Sequence, residues 1–154
     1  MNGVSKLTVT EDVALITINR APANAALLAD ILSQFADGGV NIDMISYAAP
    51  QGEYTALSFS ILGSDLVRAL GITARISETM PITPPLVSSG NCQLQLFGAE
   101  METMPGVAAR AMRAIASASV DISIITTSAV DISILVSAMH KEDAVAALKA
   151  EFLL

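Results

Sequence analysis

Tryptophan is missing from this chain, aromatic residues make up only 4% of it, and it holds one cysteine and one histidine. A core must therefore be built from Ala, Val, Ile, Leu and Met. A single cysteine excludes an internal disulfide. Cys92 lies in the strand-like run CQLQLFG, where a buried, inert thiol is expected. The lone His140 has no Ser or Cys partner in a recognisable nucleophilic setting. It precedes KEDAVAALK and reads as a helix-start residue. No CxxC, HExxH or paired His/Cys spacing occurs, and no Gly-rich phosphate loop. No catalytic residue, metal or cofactor is expected, and the chain does not read as an enzyme. Basic charge is also scarce: 8 Lys and Arg against 15 Asp and Glu give a net charge of -7. Without a Lys/Arg cluster the electrostatic footprint of nucleic-acid binding is lacking. No apolar run approaches the ~20 residues that span a bilayer. MNGVSKLTVTED lacks the cationic-then-apolar order of a secretory signal. The expectation is a cytoplasmic protein bound to neither membrane nor nucleic acid.

Apolar residues are abundant, at 53% of 154 residues. That suits one ordinary domain or two small ones, and the excess implies an outer apolar face used for self-association. VALITI (Val13–Ile18) reads as a strand. AALLADILSQFADGG (Ala25–Gly39) reads as a helix with Leu28, Ile31, Leu32 and Phe35 in one stripe, stopped by Gly38 and Gly39. NIDMISYAA is a strand, PQGE a turn and TALSFSIL (Thr55–Leu62) the returning strand. Ser64 is a candidate N-cap for a helix from Asp65 into the late 70s. PITPPLVSS (Pro81–Ser89), with three prolines, can only be a connector or edge strand. The order then starts again: CQLQLFG, a helix over Pro105–Ser119, strands VDISIITTS and AVDISILVS, and a helix over Lys141–Ala150. A shift of 80 positions lays Val13–Ser46 on Gln93–Thr126 without a gap. Strand, helix, hairpin, helix is the split β-α-β pattern. The predicted class is α+β: two ferredoxin-like βαββαβ modules in tandem, with antiparallel sheets and helices on one face. The first module is placed at residues 1–90 and the second at 91–154, with residues 3–10 a strand available to pair with the second module.

The one feature suited to a ligand is the turn into the second module's first helix, GAEMETMPGVAA (Gly98–Ala109). A helix N-terminus offers unpaired N–H groups and a positive dipole end, which suit a carboxylate. Gly106 allows close approach, and Pro105 fixes chain entry. The same residues also describe a plain tight turn.

At these residues the chain resembles ACT domains, and more closely the tandem ACT pair of the regulatory region of aspartokinase. The likeness runs through LFGAEMETMPGVAARAMRAIASASVDISIITTSAVDISILVS to AVAALKAEFLL, and through GGVNIDMIS and TALSFSI in the first half. The resemblance implies an amino acid effector of lysine or threonine type, bound at module interfaces. It implies a homodimer or higher oligomer through those modules, and a separate kinase subunit as partner. The ligand-binding positions it implies in the second module are Met101, Thr103, Met104, Gly106, Val107, Asp121, Ile122, Ser123, Thr126 and Thr127. In the first they are Asn24, Ala25, Ala26, Leu27, Asn41, Ile42, Asp43 and Ser46.

The chain departs from the family's pattern at both sites. Ala25-Ala26 replaces Pro-Gly, Tyr47-Ala48 replaces Gln-Asn, and Glu100 replaces a turn glycine. Thr127-Ser128-Ala129, followed by Val130 and Asp131, replaces Thr-Ser-Glu followed by a basic residue. The expectation is a cleft with altered specificity, with Asp121 on the strand facing Gly106. Two functions follow: a stand-alone amino-acid sensor acting on an enzyme of aspartate-family metabolism, or a dimerising interaction module that has lost its ligand.

Overall fold

The computed structural model describes residues 2–154. They fold as six strands and four α-helices: β1 (Lys6–Pro22), α1 (Ala25–Asp37), β2 (Ile45–Tyr47), β3 (Tyr54–Leu62), α2 (Leu66–Thr79), β4 (Leu86–Phe97), α3 (Val107–Ser117), β5 (Ile124–Thr127), β6 (Asp131–Ser137) and α4 (Lys141–Phe152). These form two compact units. Asp12–Ser89 make a contiguous unit; the described residues up to Glu11 join Gly90–Leu154 in a terminal unit. The fold is α+β, with antiparallel strand pairs in each unit.

In the contiguous unit the strand order is β2-β3-β1. Alternation turns Ala14, Ile16 and Ile18 of β1 and Leu57, Phe59 and Ile61 of β3 to one face. Ile31 and Phe35 of α1 and Ala69, Ile72 and Ile76 of α2 pack on that face. Phe35 meets Phe59 edge-on, with ring centroids 4.9 Å apart. Each fully buried Ile, Leu or Phe contributes ~1.5–3 kcal/mol, so this face holds the unit together. In the terminal unit the order is β4-β6-β5. Cys92, Leu94 and Leu96 stand beside Val136, Ile134 and Ile132. Val107, Ala111, Ala114 and Ile115 of α3 and Ala144, Leu148 and Phe152 of α4 cover them.

The 80-residue repeat is visible atom by atom at the helix ends. After α1, Gly39 takes a left-handed φ of 75° and Val40 N–H donates to Phe35 O at 2.9 Å. After α3, Ser119 takes φ 56° and Val120 N–H donates to Ile115 O at 3.3 Å. Val40 and Val120 are both buried.

Two local expectations change, and the proline-rich connector is as expected. Ser64 does not cap α2: Gly63–Asp65 form a 3-10 turn and Asp65 is the boundary residue. Asp65 instead pairs with Arg68 at 3.4 Å. The strands β2 and β5 are three and four residues long, because the chain before each leaves the regular ladder. Asp43 N–H reaches Ser60 O at 3.1 Å while Ser60 N–H reaches Met44 O at 2.9 Å, two residues against one, and Ser123 N–H reaches Leu135 O at 2.8 Å. The proline-rich stretch is irregular through Pro85 and joins β4 at Leu86. No helix among the described residues is long and apolar enough to cross a membrane.

Candidate functional site

Between β4 and α3 the chain makes a 3-10 turn at Ala99–Glu102 and then a tight entry into the helix. Gly106 has φ 89°, a left-handed value that costs a β-carbon residue strain, and nothing lies within 4 Å of where a Cβ would stand. No side chain caps α3, and its first turn carries no acid. Its leading N–H groups, with the dipole behind them, are left for an external acceptor. Opposite this end is the β5–β6 hairpin. The resulting cleft, about 280 Å³, is lined by Met101, Glu102, Met104, Gly106, Val107, Ala108, Thr127, Ser128, Ala129 and Ile132.

The hairpin turn is fixed internally. Ser128 Oγ accepts from Val130 and Asp131 N–H groups, both at 3.2 Å, and donates to the Asp131 carboxylate at 3.0 Å. Asp131 thus spends its charge on its own turn. The remaining acid at the cleft is Glu102, which is exposed. Met101, Met104, Val107, Ala108, Ala129 and Ile132 make the rest of the lining largely apolar.

Of the ten positions singled out in this half, Met101, Met104, Gly106, Val107 and Thr127 come together here. Thr103 is exposed on the turn, and Thr126, on the edge strand β5, pairs with Ser133 of β6. Asp121, Ile122 and Ser123 do not face Gly106. They follow the C-terminal end of α3, whose eleven residues carry the chain ~16 Å from its start. Ile122 packs on the core instead. Glu102, Ala108, Ser128, Ala129 and Ile132 join the cleft without having been singled out as ligand positions. Ser128 and Ala129 were within reach of sequence reasoning, since a two-strand turn beside Thr127 must share its end of the sheet.

The corresponding place in the contiguous unit is built differently. Asn24 caps α1: its Oδ1 accepts from Ala26 N–H at 2.9 Å and Leu27 N–H at 3.3 Å. The helix end that is open in α3 is filled here by the chain's own side chain. Asn24 and Leu27 border a pocket of about 420 Å³ with Pro22, Gly52, Glu53, Tyr54 and Pro81. Ala25 and Ala26 are exposed and outside that pocket, as are Asn41 and Asp43. Ile42 packs on the core, and Ser46 pairs with Ser58.

A larger groove, about 680 Å³, lies along α4 between Val9, Glu11, Lys141, Val145 and Lys149. Its Lys141 is already paired with Glu11, which lowers the acid's pKa and raises the amine's. The α4 start beside it also lacks a side-chain cap, but it continues a 3-10 turn and carries Glu142 and Asp143 in its first turn, which repel an anion, so the smaller cleft at α3 is the better-built site. Among the described residues no group of His, Cys, Asp and Glu could hold a metal ion. Cys92 is 1% exposed and burial raises its thiol pKa.

Residues 94–152 match the ACT domain family model. Across 149 residues the chain is 26% identical to an aspartokinase of Pseudomonas aeruginosa, covering 97% of this chain and 36% of that protein. It spans about a third of the length of the curated relatives it matches. Among solved structures, the regulatory subunit of aspartate kinase from Thermus thermophilus, in its ligand-free form, superposes with a TM-score of 0.88. Identity is 23%, and 97% of this chain and 99% of that one are covered. Aspartate kinase from Synechocystis superposes with a TM-score of 0.93 at 24% identity, over 99% of this chain and 28% of that one. The chain also superposes on a protein assigned as the C-terminal regulatory domain of aspartate kinase from Porphyromonas gingivalis, with a TM-score of 0.70 at 18% identity, over 97% of each chain. The fold is similar to that of the regulatory parts of aspartate kinases, with the ACT match confined to residues 94–152.

Proposed function

We propose that this chain, a tandem ACT protein resembling the regulatory region of aspartokinases, binds a free amino acid at the α3 cleft and thereby regulates an enzyme of aspartate-family amino acid metabolism. The observation that carries this is the uncapped α3 start at Gly106, facing the Thr127–Ala129 turn across a cleft of amino-acid size. The α-carboxylate belongs at the N–H groups of the first α3 turn. The ammonium is served by Glu102 and the oxygens of the hairpin end. The side chain lies along Met101, Met104 and Ile132. Lysine and threonine are the first effectors to try.

Regulation then follows as a population shift: the effector favours whichever packing of the modules it binds better, and a kinase subunit responds to that packing. Self-association supplies the packing. The edge strands β2 and β5 carry half-exposed Ile45, Tyr47 and Ile125, and open edges of this kind pair with a second copy.

Asn24 favours a second reading for the contiguous unit. With its helix end filled, that unit serves as an interaction surface without a ligand, and the whole protein could act in this way. Calorimetric titration with the common amino acids, with melting curves alongside, separates the two. At a hundredfold excess over Kd a bound effector adds ~2.7 kcal/mol, a rise of ~5–10 °C in Tm for a chain of this size. No heat and no shift with any amino acid, together with a kinase complex of equal strength with and without them, selects the second reading.

A further inference from the structure

The start of the chain does not line the cleft but backs two side chains that do, and in that sense forms its back wall. Gly3 lies directly behind Val107 and Met104: a Cβ on Gly3 would stand 2.7 Å from Val107 Cγ2 and 3.1 Å from Met104 Sδ. Those two side chains present their other sides to the cleft. Two charged residues hold the segment there. Glu100 Oε2 accepts from the N–H groups of Asn2 and Gly3, both at 3.0 Å. Arg110 donates from Nη1 to Asn2 O at 3.0 Å and from Nη2 to Asn2 Oδ1 at 3.1 Å. Arg110 is itself oriented by Glu151 at 2.7 Å and by the Phe152 ring, 4.8 Å below its guanidinium carbon. Asn2 Nδ2 closes the circuit on Phe152 O. Val4, 5% exposed, already anchors the segment in the core. The sheet therefore does not need both charges, yet both converge on Asn2, Glu100 reaching Gly3 as well.

We propose that Glu100 and Arg110 are positioning residues for the α3 cleft: they seat residues 2–4 as its back wall, so that filling the cleft and docking this segment are one coupled equilibrium. The proposal rests on reading the cleft as an effector site. Packed walls of this kind have discrete arrangements rather than continuous give, and coupling between two sites is reciprocal.

The test uses the full chain with labelled Met and Val methyl groups, followed by NMR together with amide exchange. In Glu100→Gln the Gly3 amide should exchange at least about tenfold faster, as expected for loss of a charge-assisted hydrogen bond. The Met104 and Val107 methyl signals should move with it. Arg110→Lys, which keeps the charge but not the fork, should give the same shifts at smaller amplitude. Gly3→Ala pushes on the wall from behind and should displace the same two methyl signals if Glu100→Gln proves too unstable to study. For any amino acid that binds, saturation should slow Gly3 exchange in the unaltered protein by the factor by which docking of the segment strengthens affinity, and Glu100→Gln should weaken that affinity by no more than this factor. Faster Gly3 exchange with unmoved Met104 and Val107 methyl signals would overturn the coupling and reduce the pair to a structural staple. If no amino acid binds, the effector reading fails, and the methyl comparison still decides whether segment and wall are linked.

Discussion

Gly98 marks where the first residues of the chain pass closest to the turn, and replacing it by alanine is a sharp test of that packing. Its φ of -166° is ordinary extended backbone, so alanine carries no conformational penalty there. The cost is purely steric. The new Cβ would lie 1.8 Å from Gly3 O, 2.7 Å from Gly3 C and 2.9 Å from Val4 Cα. Carbon contacts settle near ~3.5–4 Å, and all three obstacles are backbone, so no rotamer change relieves them. If the segment lifts away, the burial of Val4 is lost, ~1.5–3 kcal/mol, with the Ser5 N–H bond to Phe97 O at 2.8 Å, a further ~1 kcal/mol. If the turn yields instead, overpacking costs ~1–3 kcal/mol. The easier route sets the outcome, so Gly98→Ala should destabilise by up to ~3 kcal/mol, toward the upper end of the overpacking range because all three obstacles are backbone. That lowers Tm by up to ~12 °C in a chain of this length. Gly106→Ala is the contrasting case: open space but a positive φ, hence a backbone penalty of ~1 kcal/mol and no clash. Thermal melts followed by circular dichroism rank the two. A Gly98→Ala protein that melts with the unaltered one, or a Gly106→Ala protein that melts lower than Gly98→Ala, refutes the close approach.

Removing the Asn24 cap by Asn24→Ala should cost ~1 kcal/mol, or ~2–4 °C in Tm, and should leave binding at α3 unchanged in calorimetry. Cys92 should resist an aromatic disulfide reagent in the folded protein and react fully in denaturant, because burial both covers the thiol and raises its pKa. Glu100 is held below its ordinary value of 4.5 by the N–H of Gly3 and then that of Asn2, and Glu11 is held below it by Lys141. A lowered folded pKa contributes stability that is complete above 4.5 and disappears as pH falls through the folded value. The double variant Glu11→Gln, Glu100→Gln should therefore show a shallower loss of Tm between pH 6 and pH 3. An unchanged acid limb would contradict those two contacts.

What the sequence made legible was everything written in short-range pattern. The alternation in Val13–Ile18 and Thr55–Leu62 and the stripe through Ile31 and Phe35 describe one face each, and those faces are the ones that pack. The repeat survived even where its chemistry changed, since Ser119 takes the left-handed turn that Gly39 takes. Asn24 was also legible: an asparagine directly before AALL is an N-cap signature, although resemblance alone had placed it at a ligand. Strand lengths were overestimated because apolar content cannot say where a ladder stops; the irregular pairing of Asp43 and Met44 with Ser60, and the bond at Ser123, read the same as a regular ladder. Asp121 looked close to Gly106 because both belong to one repeat, but a helix of three turns lies between them. The contacts of Glu100 with Asn2 and Gly3 span 98 and 97 positions, a distance over which no local periodicity operates.

The terminal unit is assembled from both ends of the chain, and this sets an order of events during synthesis. Asp12–Ser89 are contiguous and can close as soon as they have been made. The first strand residues of the terminal unit emerge before them and must then wait unpaired. Their partners Phe97, Arg110 and Glu100 come later, and Phe152, which receives Asn2, lies 150 positions on. Loop closure grows only slowly with length, ~0.6 kcal/mol per doubling, so the penalty is mostly one of time. The N-terminal segment is a waiting edge throughout translation, and the last turn of α4 completes its seat. Refolding should accordingly be biphasic, with the Phe35–Phe59 core forming ahead of protection at Gly3.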